Sequence, residues 1–218
     1  MKTHDFLLEL GTEELPPKLL LKLSNSLRDN LSQELNKLNI SSKTIKAFAT
    51  PRRLAVSISE LQSKQQDQII EKKGPSTQSP EMAVNGFAKS CGVNVDELEI
   101  KELGGKEYFF YTKEEPGQEI RDLLPAIIEK SIKNIPITRA MKWGESDYSF
   151  VRPVHWLVVM LDKDIVKANI MGLESGRESK GLRFSGSNLE FIHAKNYERM
   201  MNKEAKILVD FVKRKELI

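Results

Sequence analysis

FLLELGTEELPPKLLLKLSNSLRDNLSQELNKL, residues 6–38, holds the two clearest structural signals of this 218-residue sequence. Phe6 to Leu10 is an apolar run of strand length, and Gly11 ends it. Pro16 and Pro17 then lie where a helix begins, because the N–H that proline lacks has no partner in a first turn. Leucines follow mainly at spacings of three and four, which predicts one apolar stripe along a long helix. The stripe, best explained by core packing, consists of Leu19, Leu20, Leu23, Leu27, Leu31, Leu35 and Leu38.

The remaining sequence predicts short strands mixed with amphipathic helices. Strands are expected at Leu54–Ile58, Tyr108–Thr112 and His155–Leu161, the last pairing as a hairpin with Ile165–Met171. Polar residues 64–79 predict a loop, and Gly172, Gly176, Gly181 and Gly186 punctuate another. Helices are expected at Pro80–Cys91, Ile120–Ile135 and, strongly charged, Lys195–Leu217. Hairpins without regular βαβ alternation favour an α+β fold.

The predicted domain organisation places residues 1–190 in one domain, with a potential break into two subdomains near 64–80. Residues 191–218 are predicted to form a helix leading into a downstream region, because the chain stops without a capping signal.

Composition narrows the class of protein. Hydrophobic residues make up 39%, too many for a disordered chain. Cys91 is the one cysteine, which excludes an internal disulfide and fits a reducing compartment. Asp5 and Glu9 interrupt the N-terminal apolar run, so no signal peptide is predicted, and no stretch approaches bilayer length. We therefore expect a cytoplasmic protein without a membrane partner, although a net charge of +3 does not by itself indicate nucleic acid.

The motifs of nucleotide and metal sites are absent from the sequence. There is no G-x-x-x-x-G-K-[ST] loop and no pair of cysteines for zinc, and the three histidines lack metal-ligand spacing. We therefore predict no catalytic residue, metal ligand or cofactor in this part of the chain. A hydrolytic interpretation would rest on Thr50, Cys91 and His155 as nucleophile or base.

Basic residues beside aromatic or glycine-rich segments are the candidates for RNA binding. Arg52 and Arg53 stand at the entry to a strand, where guanidinium groups suit phosphate, but ion pairs explain them equally. Trp143, among cations, could stack on a base, although core packing is favoured. For Arg177, Lys180 and Arg183, which lie in the glycine-punctuated loop, the alternative to RNA binding is ordinary solvated surface. The eight candidates are Arg52, Arg53, Arg139, Lys142, Arg152, Arg177, Lys180 and Arg183.

Several long motifs occur in a fixed order that resembles one known family. They are GTEELPP (11–17), ATPRRLAV (49–56), KGP (73–75), GFAKSCGV (86–93), MKWG (141–144), FVRPVHWLV (150–158), SG (175–176) and GLRF (181–184). Together they resemble the beta subunit of bacterial glycyl-tRNA synthetase from about Phe6 to about Phe184. Two departures stand out: Ser76–Ser79 is shorter than the family's stretch there, and Leu182 replaces a frequent histidine. The second departure favours structure or RNA contact at Arg183 over proton transfer.

The resemblance implies an α2β2 enzyme whose alpha subunit activates glycine with ATP and Mg²⁺, while the beta subunit supports binding of tRNA(Gly). It also suggests kinship in shape with the editing-type module of phenylalanyl-tRNA synthetase. Two other functions remain open. The chain could be a deacylase of mischarged tRNA, or a scaffold that only docks the alpha subunit.

Overall fold

The computed structural model describes residues 2–144, 147–183 and 188–217; the motif residues Phe184 and Gly186 lie outside them. The strands in the described part are β1 (Thr3–Thr12), β2 (Thr44–Thr50), β3 (Arg53–Gln62), β4 (Gln68–Ser76), β5 (Glu99–Leu103), β6 (Lys106–Glu115), β7 (Met141–Lys142), β8 (Ser149–Phe150), β9 (Val154–Leu161), β10 (Asp164–Ile165), β11 (Asn169–Ile170), β12 (Leu173–Glu174), β13 (Glu178–Lys180) and β14 (Asn188–Glu190). The α-helices are α1 (Pro17–Lys37), α2 (Glu81–Cys91), α3 (Ile120–Lys133), α4 (Tyr197–Lys203) and α5 (Phe211–Glu216). This mixture confirms the predicted α+β class.

The chain forms two compact units. The first contains residues up to Gln65 together with those from Gln118 onward, and the second contains residues 66–117. The backbone N–H of Gln65 donates to the carbonyl of Gln118 (2.9 Å), so the chain leaves and re-enters the first unit at adjacent positions. The second unit is therefore an insertion, and its first boundary lies inside the stretch 64–80 where the sequence predicts a break.

A five-stranded antiparallel sheet, in the order β10-β9-β1-β3-β2, organises the first unit. Strand β1 lies in the centre and pairs with β3 and β9, so that Leu8 faces Val56 on one side and Val159 on the other. Both faces of β1 are covered, which explains why its apolar run is nearly continuous. Phe6, Leu8 and Leu10 belong to the core cluster that contains the leucine stripe of α1 and the isoleucines of α3.

The opposite face of β1 carries Leu7 and Glu9, and a second core cluster covers it. Here Leu7, Trp156 and Val158 of the sheet pack with Phe191 and with α4 residues such as Tyr197 and Met201. The sheet is therefore the middle of three layers in the first unit, with α1 and α3 on one side and the segment from β14 to α4 on the other.

The second unit is a small antiparallel sheet with one helix. Its strands lie in the order β4-β6-β5, and α2 packs through Val84 and Ala88 against a small cluster that includes Phe109 and Tyr111. Helix α2 ends where predicted, because Gly92 adopts the left-handed conformation (φ 74°) that closes the helix.

Helix α1 and most strands are found where the sequence predicts them, but four predictions are wrong. The loop punctuated by Gly172, Gly176 and Gly181 contains two short strands, β12 and β13. Residues 64–79 are not all loop, because β4 pairs with β6 over Gln68–Ser76. The second arm of the C-terminal hairpin is short: only Asp164 and Ile165 pair with β9, and Asn169–Ile170 pairs instead with β12.

The prediction of one final helix is also wrong. It divides into α4 and α5, and between them Ala205 and Val209 are buried in the second core cluster. Lys206 has a positive φ of 54°, and the Ala49 N–H donates to the Val209 carbonyl (3.1 Å). Outside the helices, this segment accepts one backbone hydrogen bond from β2 and buries apolar residues that the surrounding charges obscure in the sequence. Among the described residues, no helix is long and apolar enough to cross a membrane.

A buried ion pair holds the second face of the sheet together. Glu9 is 0% exposed and Arg53 is 2% exposed, and Arg53 Nη1 lies 3.6 Å from Glu9 Oε2. Glu9 Oε1 accepts hydrogen bonds from Trp156 Nε1 (2.7 Å) and from the Ser179 hydroxyl, and Oε2 accepts from the Tyr197 hydroxyl (2.7 Å). Burial and the charge of Glu9 raise the pKa of Tyr197 well above its ordinary value, so this hydroxyl stays protonated and donates. Donors from three segments of chain therefore converge on one carboxylate.

We expect Glu9→Gln to destabilise this sheet by about 3–5 kcal/mol, because it leaves the charge of Arg53 buried without compensation. The local free energy of unfolding can be measured from amide exchange in β1 and β3 of the full-length protein. Glu34→Gln is the matched control. Glu34 is also a buried glutamate, but its partners Lys37 and Lys130 are at least half exposed and can be rehydrated. We expect a clearly smaller loss for this variant; equal losses would contradict the role given to Glu9.

Candidate nucleic-acid interface

Three of the sequence motifs meet at one end of the central sheet. The backbone N–H of Thr12 donates to the Arg52 carbonyl (2.9 Å), that of Glu13 to the Pro153 carbonyl (3.0 Å) and that of Leu15 to the Pro51 carbonyl (2.6 Å). Because β1 is antiparallel to both neighbours, its last residues lie beside the first residues of β3 and β9. The fold thus joins GTEELPP, TPRR and FVRP into one contiguous site.

Trp156 anchors this end of the sheet. Its indole lies directly over Gly11, where a Cβ atom would come within 1.8 Å of the ring, so glycine is required there. The Arg52 guanidinium carbon lies 6.0 Å from the ring centroid and Lys180 Nζ lies 5.5 Å from it. Both cations are within reach of the electron-rich face of the indole. They form a small cationic group around an aromatic side chain that is itself mostly buried.

Arg53 has a different role from Arg52. Besides its pairing with Glu9, Arg53 Nη1 donates to the Ser179 hydroxyl (3.2 Å) and Nη2 donates to the Lys180 carbonyl (2.6 Å). The ion pair, which the sequence left open as an alternative, is the arrangement found. The Arg53 guanidinium group is therefore committed to buried contacts, and its assignment to RNA binding stays a prediction without support from this geometry.

A cleft of about 410 Å³ lies next to this junction, between the first turns of α1 and residues 136–141. Its floor is apolar and includes Leu19 and Val151, and Met141 stands at its side. We call it the basic cleft because three cations, Lys22, Arg139 and Arg152, line it and no acidic residue of the described chain does. The sequence predicts Arg139 and Arg152 as candidates but gives no reason to group them with Lys22.

Arg152 is held in place within the basic cleft. Its Nε donates to the Glu14 carbonyl (3.2 Å) and its Nη1 contacts Met141 Sδ (3.0 Å). In the described part of the chain, Arg139 and Lys22 form neither an ion pair nor a hydrogen bond, and both are exposed. The cleft therefore offers one fixed guanidinium group and two cations available to an anionic ligand.

The other candidates are dispersed. Lys142 pairs with Asp147 (3.1 Å), and Arg183 pairs loosely with Glu14 (3.6 Å). Arg177 points to the other end of β9, where its Nη2 donates to the Lys163 carbonyl (2.9 Å). Trp143 is half-buried and packs against the main core of the first unit.

The residues proposed for hydrolysis are divided between the two units. Thr50 is buried, and Cys91 belongs to the second unit, whereas Thr50 and His155 belong to the first. The side chain of His155 is 41% exposed, and its Nε2 lies 3.0 Å from Glu13 Oε1. The pairing of β9 with β1 is irregular here, because Gly11 pairs with Trp156 and Thr12 pairs with Val154, so that His155 is the extra residue of a bulge.

One cluster has the residue types of a metal site. Asp5, Asp162 and His193 present ligand atoms within 4.8 Å of one another. Asp162 already accepts from His4 Nδ1 (2.6 Å) and from the Asp5 N–H (2.8 Å). Burial raises the pKa of the Asp162 carboxyl, but these hydrogen bonds and the nearby imidazoles outweigh burial, and the pKa lies below its ordinary value. His193 Nδ1 accepts from the Lys195 N–H (3.3 Å), and its Nε2 lies 4.0 Å from Asp162 Oδ1, a loose ionic contact.

Sequence reasoning missed Glu9 and Lys22. The sequence does contain a signal for Glu9, because a lone acid inside an otherwise apolar central strand requires a buried hydrogen-bond donor or cation. Lys22 had none, because it is one lysine on the polar side of a leucine-rich helix, and only the tertiary fold brings residues 136–141 against it.

Comparison with known proteins agrees with these motifs. Residues 6–218 match the family model described as glycyl-tRNA synthetase beta subunit, and the chain belongs to this family of aminoacyl-tRNA synthetase subunits. The glycine–tRNA ligase beta subunit of Coxiella burnetii is 41% identical over 226 residues, covering 100% of this chain and 33% of the relative. Those of Chromohalobacter salexigens and Shewanella oneidensis are 39% and 36% identical over 225 residues, with the same coverage. The chain thus spans about a third of the length of the curated relatives that it matches.

Proposed function

We propose that this chain works as the N-terminal portion of the beta subunit of a glycine–tRNA ligase. In this proposal it supports tRNA binding and subunit assembly, while the alpha subunit of an α2β2 enzyme uses ATP and Mg²⁺ to activate glycine. The enzyme would act in the cytoplasm, where a lone cysteine such as Cys91 stays reduced. Family membership supports the assignment to the enzyme, and the basic cleft supports the assignment of RNA binding to this part of it.

The basic cleft is the observation that carries the RNA-binding role. Some cations of the described chain are paired with an acid, as Arg121 is with Asp164 (2.8 Å). Lys22 and Arg139 are unpaired among the described residues, and they line one cleft together with Arg152 and an apolar floor. Leaving cations unneutralised side by side costs electrostatic repulsion, and an anionic partner such as a phosphate relieves it.

The test is the double variant Arg139→Ala/Arg152→Ala in the α2β2 enzyme. We expect weaker binding of tRNA(Gly), and a plot of log affinity against log salt whose slope is lower by about one unit per lost phosphate contact. The KM for tRNA should rise, while glycine-dependent ATP–pyrophosphate exchange should stay unchanged. Filter binding at several salt concentrations and steady-state kinetics measure the two effects.

The matched control removes two other exposed arginines, Arg28 and Arg121, which pair with Asp29 and Asp164. This control should leave the affinity and its salt dependence as in the unmodified enzyme. If the double variant binds tRNA normally but loses the alpha subunit in sedimentation, the scaffold function replaces RNA binding. Equal effects of both variants would indicate a general charge effect and would also count against the proposal.

The exposed pairing of His155 with Glu13 favours a second candidate, deacylation of mischarged tRNA. A carboxylate can orient an imidazole so that it accepts a proton from water. Among the described residues, no nucleophilic side chain contacts His155, and we therefore rank this function second. We expect the α2β2 enzyme to release amino acid from mischarged tRNA(Gly) at the rate of the buffer control. Turnover that His155→Ala abolishes and Lys163→Ala preserves would establish the editing function instead.

A further inference from the structure

We infer that the basic cleft holds one unstacked nucleotide of the bound tRNA, with its phosphate at the cations and its base on the apolar floor. This inference rests on the proposed function, since it assumes that the cleft meets RNA. It goes further by specifying a single-stranded nucleotide where the proposed function requires only phosphate contacts.

The composition of the cleft favours a nucleotide over a phosphate alone. An isolated phosphate would be held by cations and backbone N–H groups and would gain nothing from an apolar floor. Here Leu19, Ile137 and Val151 line the same cavity as Arg139 and Arg152. Its volume of about 410 Å³ lies in the range of small-ligand sites, roughly 300–1,000 Å³. A ligand with an anionic end and a flat apolar body matches both halves of this lining.

The shape of the cleft also argues against duplex RNA as the occupant. A duplex presents its phosphates on the outside and keeps its bases stacked, so it cannot place a base face on a recessed floor. Proteins instead read unpaired nucleotides by stacking the splayed base and binding its phosphate. The cleft opens at the start of α1, whose first turn contains no acidic residue, so the positive end of the helix dipole adds to the cations.

The site is largely preformed, which lowers the cost of binding. Arg152 is fixed by the Glu14 carbonyl and by Met141 Sδ. Val151 is only 6% exposed, and Leu19 lies on a helix packed into the main core. Only Lys22 and Arg139 have to be ordered when a nucleotide enters, and both are cations that a phosphate attracts.

Salt dependence separates the base contact from the phosphate contact. Leu19→Asn removes part of the apolar floor without changing charge, so it should weaken binding of tRNA(Gly) to the α2β2 enzyme by about fivefold or more. The slope of log affinity against log salt should remain unchanged, because no counterion release is lost. Leu21→Asn is the matched control, since Leu21 is on the same helix, is 43% exposed and does not line the cleft. It should leave the affinity unchanged.

Met141→Ser provides a second variant that is safe for folding, because Met141 is 42% exposed. It should also weaken tRNA binding, with a smaller change of slope than Arg139→Ala/Arg152→Ala produces, because Arg152 keeps its charge and its hydrogen bond to the Glu14 carbonyl. A photoreactive side chain at position 141 should then crosslink to an unpaired nucleotide, whereas the same group at Met82, which is 85% exposed in the second unit, serves as the positional control.

Each alternative has its own result. If Leu19→Asn and Met141→Ser bind normally while Arg139→Ala/Arg152→Ala is weakened, or if the crosslink maps to paired nucleotides, the unstacked-nucleotide inference is wrong and the proposed function stands. A crosslink to the alpha subunit would identify a protein segment as the occupant and overturn the inference. If the arginine variant also binds normally, the proposed function itself fails.

Discussion

The ion pair between Glu9 and Arg53 is the constraint on which the first unit depends. A carboxylate with no exposed surface is tolerated only when charge and hydrogen bonds compensate its lost hydration. Arg53 supplies the charge, and Trp156, Ser179 and Tyr197 supply the hydrogen bonds. These four partners belong to β3, β9, β13 and α4. The same carboxylate therefore fixes the register of β1 and the position of the layer that contains α4. Gly11 leaves the space for the indole that takes part in this arrangement.

The interface at the end of the sheet follows from this core. Once β1, β3 and β9 are aligned, the segments after β1 and before its neighbours must lie together, and the backbone hydrogen bonds of Thr12, Glu13 and Leu15 close them. Arg52, in the turn before β3, lies beside Trp156 and is only partly buried, whereas the Arg53 guanidinium group is buried and pairs with Glu9. Next to this junction the basic cleft combines fixed and available cations with an apolar floor. This combination of charge and apolar surface suits the anionic ligand that we propose for it.

Much of this fold can be predicted from the sequence because local patterns determine it. The leucine stripe gives α1, Gly92 gives the end of α2, and the β1 run gives a buried strand. The predictions that are wrong concern segments whose structure depends on distant partners. Strand β4 is polar because it forms the edge of a small sheet, and the non-helical segment around Val209 depends on its contacts with β2 and the second core cluster. The cations of the candidate site can be identified from the sequence, but the sequence does not show which of them are buried. Arg52 and Arg53 are adjacent residues of the same type, and only the pairing of Arg53 with Glu9 in the fold distinguishes them.

Hydrogen–deuterium exchange of the full-length beta subunit, alone, with alpha subunit and with tRNA(Gly), tests the central claim most directly. The claim is that the junction of β1, β3 and β9 and its basic cleft contact RNA. On addition of tRNA, slower exchange is predicted in residues 12–22, 136–142 and 151–153, and addition of alpha subunit alone should leave these segments unchanged. Protection of the same segments by alpha subunit, with no change on adding tRNA, would contradict the claim and make this face a subunit interface.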